Sequence, residues 1–172
     1  MSATRKMIVV ISVCCVILVF LVIQTGPTSA ANVRLNPAAP SSSLTLIATQ
    51  DAYIDQSLPT TNFGADPSLL VGLSQLPTGA PYELRTLVGF DLSALPAGAT
   101  LLAAKLQLYQ IAASGSISYS IYPDRVTRPA WSEATVTWNF PPVGSTSDGD
   151  PAVATDMANG WKTWDVTNIV NK

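Results

Sequence analysis

Arg85–Tyr109 reads RTLVGFDLSALPAGATLLAAKLQLY, and its two apolar runs decide the fold class. In the first run Val88, Phe90 and Leu92 recur at period two. The segment Ser93-Ala94-Leu95-Pro96-Ala97-Gly98-Ala99 is turn-rich. Beyond it Leu102, Ala104, Leu106 and Leu108 alternate again, with Lys105 and Gln107 on the opposite face. Alternation of this kind marks strands buried on one side only, as in an antiparallel sheet or sandwich.

The same idiom continues on both sides. Upstream, Leu44, Leu46 and Ala48 alternate with Thr45, Ile47 and Thr49, and Ala52-Tyr53-Ile54 carries the strand on past Asp51. Residues 56–67 form a loop punctuated by Pro59, Asn62, Gly64 and Pro67. Leu69–Leu73 is a short apolar strand, and residues 74–82 form a second loop with Pro77, Gly79 and Pro81. Downstream, Ile117, Tyr119 and Ile121 alternate with Ser118 and Ser120. Ala134–Trp138 and Lys162–Val166 read as two further strands, and Thr167–Lys172 as a helical turn capped by Thr167 or Asp165. Seven or eight strands with no helix of ordinary length predict an all-β, jelly-roll-like antiparallel β-sandwich.

The first 43 residues read differently. Arg5 and Lys6 precede an apolar run, Met7–Ile23, and Thr28-Ser29-Ala30 supplies small residues for cleavage after Ala30. That order describes a signal peptide over residues 1–30. The run is also nearly long enough to span a membrane, so an uncleaved anchor is the alternative. Membrane attachment is expected only in that case. Residues 31–43 are a Pro/Ser/Ala-rich linker, and residues 44–172 are the module. Either way the globular part is exported.

Composition then limits the chemistry. The chain has no His, and its two cysteines, Cys14 and Cys15, lie inside the apolar run. Residues 31–172 carry seven Lys/Arg against eleven Asp/Glu. This excess of acid argues against nucleic acid, whose affinity comes largely from basic groups on phosphates. A Ser–His–Asp triad, a Cys–His pair and an ordinary zinc site all lack their residues. Two carboxylates alone can hydrolyse a glycoside, but most here sit in turns, where Asp serves as a turn former. No glycine-rich phosphate loop is present.

Several phrases resemble the DNRLRE-domain family, disaggregatase-related β-sandwich modules also classed among carbohydrate-binding modules. They are Asp51-Ala-Tyr-Ile-Asp55, Pro59-Thr-Thr-Asn-Phe-Gly64, Leu70-Val-Gly72, and Arg85-x-Leu-Val-Gly-Phe-Asp-Leu92. Further along come Ala104-x-Leu-x-Leu-Tyr109, Trp131-Ser-Glu133-x-x-Val136-Thr-Trp138-Asn139 and Trp164-Asp-Val-Thr167. The resemblance implies a secreted bacterial or archaeal module with no catalysis of its own, an appendage of cell-surface or polysaccharide-acting proteins. It also implies further strands beyond Lys172, so that the sandwich here lacks its last strands.

Two sets of residues are candidates for binding. Calcium takes six to eight oxygen ligands, and Asp51, Asp55, Asn62 and Asp66 cluster around one loop, with Asp165 able to approach from the last strand. The competing reading makes them Asx-turn formers. The aromatic residues offer flat faces to sugar rings. Trp138 and Trp164 lie in strand patterns that predict burial, and Tyr119 reads as core. Tyr82 and Trp161, in loops beside Pro81 and Gly160, are the expected exposed platforms, with Trp131 as a further contact. Arg85 would meet an anionic glycan or pair with Asp55 or Glu83, and Arg128 would pair with Glu133. The expected function is a non-catalytic carbohydrate-binding module whose partner is polysaccharide at the cell surface or in the matrix. The alternative is a structural or adhesive spacer without a glycan ligand.

Overall fold

The computed structural model describes residues 9–12, 16–17, 43–96, 101–114, 119–127, 130–142, 145–146, 153–155 and 157–171. The expected cleavage site after Ala30, the linker up to residue 42, and Arg128 lie outside the described residues, as does the side chain of Tyr119.

Eleven strands and one helical turn make up the described chain. The strands are β1 (Val9–Ser12), β2 (Val16–Ile17), β3 (Leu46–Asp55), β4 (Ser68–Gln75), β5 (Pro81–Phe90), β6 (Lys105–Ala113), β7 (Tyr119–Ile121), β8 (Arg125–Val126), β9 (Ser145–Thr146), β10 (Val153–Thr155) and β11 (Gly160–Asp165), and the turn is α1 (Thr167–Val170). All pairings are antiparallel. The main sheet runs β11-β6-β1-β4-β5-β3-β2, and β10-β7 and β8-β9 form two small sheets. The fold is therefore of the all-β, antiparallel, sandwich-like class that the alternation predicts. Among the described residues no helix is long and apolar enough to cross a membrane.

The two runs of the opening stretch are β5 and β6, and they are not hairpin partners. β5 lies between β3 and β4, whereas β6 pairs with β11 and β1. Their inward residues nevertheless meet in one core. Leu46, Tyr53, Leu69, Leu84, Ala104, Leu108, Trp164 and Val166 form it, with Val88, Phe90 and Leu106 packed alongside. Trp164 is buried and its indole N–H donates to the Ile121 carbonyl at 2.9 Å, which satisfies the polar end of a large apolar side chain. Tyr53 stacks on Phe63 with ring centres 4.3 Å apart. A second cluster on the other face of β3 joins Ala52, Ile54 and Val136, with Leu87, Trp131 and Trp138 against it.

Three expectations need correction. Ala134–Trp138 is not a strand: residues 133–135 form a turn, and Thr137 makes only an isolated bridge to Phe140. Its alternation instead reflects a loop laid over β3, where Val136 packs on Ala52 and Ile54. Leu92 and Leu102 fall outside β5 and β6 and are substantially exposed. Third, the helical turn has Val166 at its N-cap and no side-chain cap. Asp165 instead accepts the backbone N–H of Thr167 at 3.0 Å and its hydroxyl at 2.6 Å.

Residues 9–12 and 16–17, read from sequence as part of a leader, are strands of the main sheet. β1 lies between β4 and β6, and β2 pairs with the start of β3.

Candidate functional site

Strands β6 and β11 pair in continuous register from Gly160↔Gln110 to Asp165↔Lys105. Side chains alternate across a strand. Because Leu108 and Trp164 point into the core, Tyr109, Gln107 and Lys105 project from the opposite face, beside Trp161, Thr163 and Asp165 of β11. Opposite partners in an antiparallel pair lie on one face and within contact. The result is three cross-strand pairs in a row: Trp161 with Tyr109, Thr163 with Gln107, and Asp165 with Lys105.

Each pair has its own chemistry. The Trp161 and Tyr109 rings meet nearly edge-on, with centres 5.3 Å apart and planes at 82°. Edge-to-face packing of this kind fixes both rings by their quadrupoles. Trp161 still leaves 49% of its surface open to solvent. The Gln107 amide donates to the Thr163 hydroxyl at 3.1 Å. Asp165 titrates below the usual carboxylate range, first because Thr167 donates to it from hydroxyl and backbone, and then because Lys105 is near. The row thus passes from aromatic, through neutral amide and hydroxyl, to a pair of opposite charges. Two steps of two residues span about 13 Å at strand rise.

The remaining expected binding residues do not join this row. Tyr82 is partly buried and packs against the main core. Trp131 is partly buried in the second cluster. Arg85 is paired with Glu83, from which two carboxylate oxygens accept at 2.9 Å, and its guanidinium sits 5.0 Å from the centre of the Trp138 ring. Both partners of the ion pair are exposed, a setting in which such a pair contributes about 0–1 kcal/mol.

The expected metal ligands are used one by one in local structure. Asp55 Oδ1 accepts from the Ser57 N–H at 2.7 Å and the Ser57 hydroxyl at 2.6 Å. Asp66 Oδ1 accepts from the Ser68 N–H at 3.1 Å, and its other oxygen faces the Tyr53 hydroxyl at 3.4 Å. Asn62 Oδ1 accepts from the Gly64 N–H, while its amide reaches the 131–138 loop. Asp51 lies near Glu133. Burial and then the Glu133 charge hold its carboxyl above the usual range. Asp165 serves Thr167 and faces Lys105, as described. No three His, Cys, Asp or Glu side chains among the described residues gather into a group able to hold a metal.

A cavity of about 400 Å³ opens between the inner face of the sheet and the segment from Ile121 to Val126. Leu106, Leu108, Trp164 and Val166 form much of its floor, and Tyr122, Asp124 and Arg125 lie in its wall. It opens to solvent, with the exposed Leu92 and Tyr122 in its lining.

Sequence reading singled out Trp161 and counted Tyr109 among the aromatic residues, but not their pairing. The row was missed because register between strands fifty residues apart leaves no local trace. The family model described as "Carbohydrate-binding module family 96" matches residues 42–172. No curated protein and no solved structure matches the chain.

Proposed function

We propose that this chain, which belongs to carbohydrate-binding module family 96, binds polysaccharide through the outward row on β6 and β11. The observation that carries this reading is Trp161, half exposed yet fixed edge-on by Tyr109. A rigid aromatic face takes up the apolar C–H face of a sugar ring without ordering a mobile side chain. Gln107 and Thr163, one strand step away, offer amide and hydroxyl groups to sugar hydroxyls. The contact is non-catalytic and belongs to the exported part of the protein, as an appendage that holds its carrier on a glycan at the cell surface or in the matrix.

Affinity electrophoresis on a panel of neutral and acidic polysaccharides tests the reading. The wild-type chain should be retarded by at least one of them. Trp161→Ala should remove the retardation and leave the thermal melt unchanged. Tyr122→Ala, exposed but outside the row, should bind as wild type. Retardation that survives Trp161→Ala would move the site elsewhere. No retardation by any glycan would favour the spacer role.

A further inference from the structure

Spacing along β6 and β11 sets the size of the ligand that the outward row can hold. Trp161 stands opposite Tyr109, and Thr163 stands opposite Gln107 one step further along the same two strands. A step of two residues is about 7 Å. A sugar ring stacked on Trp161 therefore leaves the amide and hydroxyl uncovered, and the next ring of the same chain reaches them. The row is also open at both ends. Past Tyr109, β6 continues to Ile111, which is exposed, and at the other end Lys105 and Asp165 are exposed as well. A polysaccharide lying along the strands runs past both ends, and its termini take no part in the contact.

The middle pair has a polarity of its own. The Gln107 amide donates to the Thr163 hydroxyl oxygen at 3.1 Å in a partly buried setting. That bond uses one amide proton and one oxygen lone pair. The Thr163 hydroxyl proton is then given outward, and the Gln107 carbonyl oxygen remains an acceptor. The pair thus presents a donor and an acceptor side by side. Two adjacent hydroxyl groups on one sugar ring are the complement, because one accepts while the other donates. Partial burial sharpens the choice, since a polar group covered by a ligand and left unmatched costs more than one in open water. The third pair differs. Asp165 Oδ1 already accepts the Thr167 N–H and hydroxyl, and the carboxylate stands opposite Lys105.

We infer, given the glycan-binding reading of this face, that the row reads two consecutive sugar units in the interior of a polysaccharide. Trp161 stacks on one unit. Gln107 and Thr163 select a second unit that carries two adjacent hydroxyl groups. The least ligand is therefore a disaccharide stretch, and Gln107 and Thr163 determine which one is accepted.

The test takes whichever polysaccharide of the neutral and acidic panel retards the wild-type chain and cuts it into oligosaccharides of increasing length. Each length competes against the uncut polymer in affinity electrophoresis. Competition should strengthen at least about tenfold between the monosaccharide and the trisaccharide, the gain of two net hydrogen bonds, and then level off. Reducing the terminal unit of the longest oligosaccharide to its alditol should change nothing. Gln107→Ala and Thr163→Val should each remove most of the length gain and leave the thermal melt unchanged, and Thr163→Ser should restore it. A monosaccharide that competes as well as longer chains overturns the inference while Trp161→Ala still abolishes binding. So does a length gain that survives both Gln107→Ala and Thr163→Val, or a loss on reducing the terminal unit, which would place the contact at a chain end. If no glycan retards the wild type, or if retardation survives Trp161→Ala, the reading of the row itself fails and takes this inference with it.

Discussion

Asn62 holds the loop of Glu133 against β3 from the far end of a 71-residue separation: its amide donates to the Glu133 carbonyl at 2.8 Å and to the Val136 carbonyl at 2.7 Å. The Glu133 side chain completes the clasp, since its carboxylate accepts the Asp51 N–H at 2.9 Å. The Asn139 N–H adds a bond to the Pro59 carbonyl at 2.9 Å. These contacts carry Val136, Trp131 and Trp138 onto Ala52 and Ile54.

Asn62→Ala should therefore destabilise the domain by about 1 kcal/mol, because the Val136 carbonyl loses its donor in a partly buried setting while the exposed Glu133 carbonyl can turn to water. Urea denaturation should show the loss as a lower midpoint at an unchanged slope. Asn62→Asp should be no better, since a carboxylate offers the carbonyls no proton. A loss below about 0.5 kcal/mol for both would mean the loop is held by its apolar contacts alone.

Gly64 should be the least replaceable position in this region. A Cβ there would collide with the Glu133 backbone carbonyl, and backbone, unlike a flexible side-chain end, cannot swing aside. Gly64→Ala should cost at least as much as Asn62→Ala and should partly free the loop, seen as a rise in Trp131 and Trp138 solvent accessibility by fluorescence quenching.

On the outward face, Tyr109→Ala and Gln107→Ala should weaken glycan binding less than Trp161→Ala does. Tyr109 orients Trp161 rather than offering the larger exposed face, so Tyr109→Phe should restore most of the binding. Calorimetric titration of the four variants ranks them. An unchanged affinity in Tyr109→Ala would show that the edge-on contact is dispensable.

Asp51 makes a test of sign. Burial, and then Glu133, raise its folded pKa above the ordinary 3.8, so the folded state favours the protonated acid. The ionised form is therefore a penalty, absent below pH 3.8 and fully present once the pH exceeds the folded value. Asp51→Asn should raise the melting temperature at pH 7 and lose that advantage near pH 3. A variant no more stable than wild type at pH 7 contradicts it.

Tyr53 should ionise well above the ordinary value of 10.0. Burial, and then Asp66, push its phenol up to about 12. Ultraviolet titration should show a phase near pH 12 that disappears in Tyr53→Phe. Because the folded state holds this proton more tightly, stability should fall as pH rises above 10, the ordinary value.

Period-two alternation was enough to read β5, β6 and the first half of β3 from sequence, because a strand buried on one side writes its burial into every second residue. Val88, Phe90, Leu106 and Leu108 show it, and Trp164 was legible as core for the same reason. The class of the fold, the absence of His-based chemistry and the candidate Trp161 all follow from local pattern and composition. Partnership between strands does not. Nothing in β5 or β6 says that they avoid each other, or that Trp161 meets Tyr109, because register is set by long-range hydrogen bonding and packing. The loop 131–138 imitated a strand because Val136 and Trp138 are anchored on β3, which only the tertiary fold reveals. The apolar N-terminal run likewise carries two local readings, a signal peptide or a membrane anchor, and neither foretells a place in the sheet. Apolar side chains suit a leader, a membrane or a strand equally, and the pairing of residues 9–12 with β4 and β6 is written only in the tertiary fold.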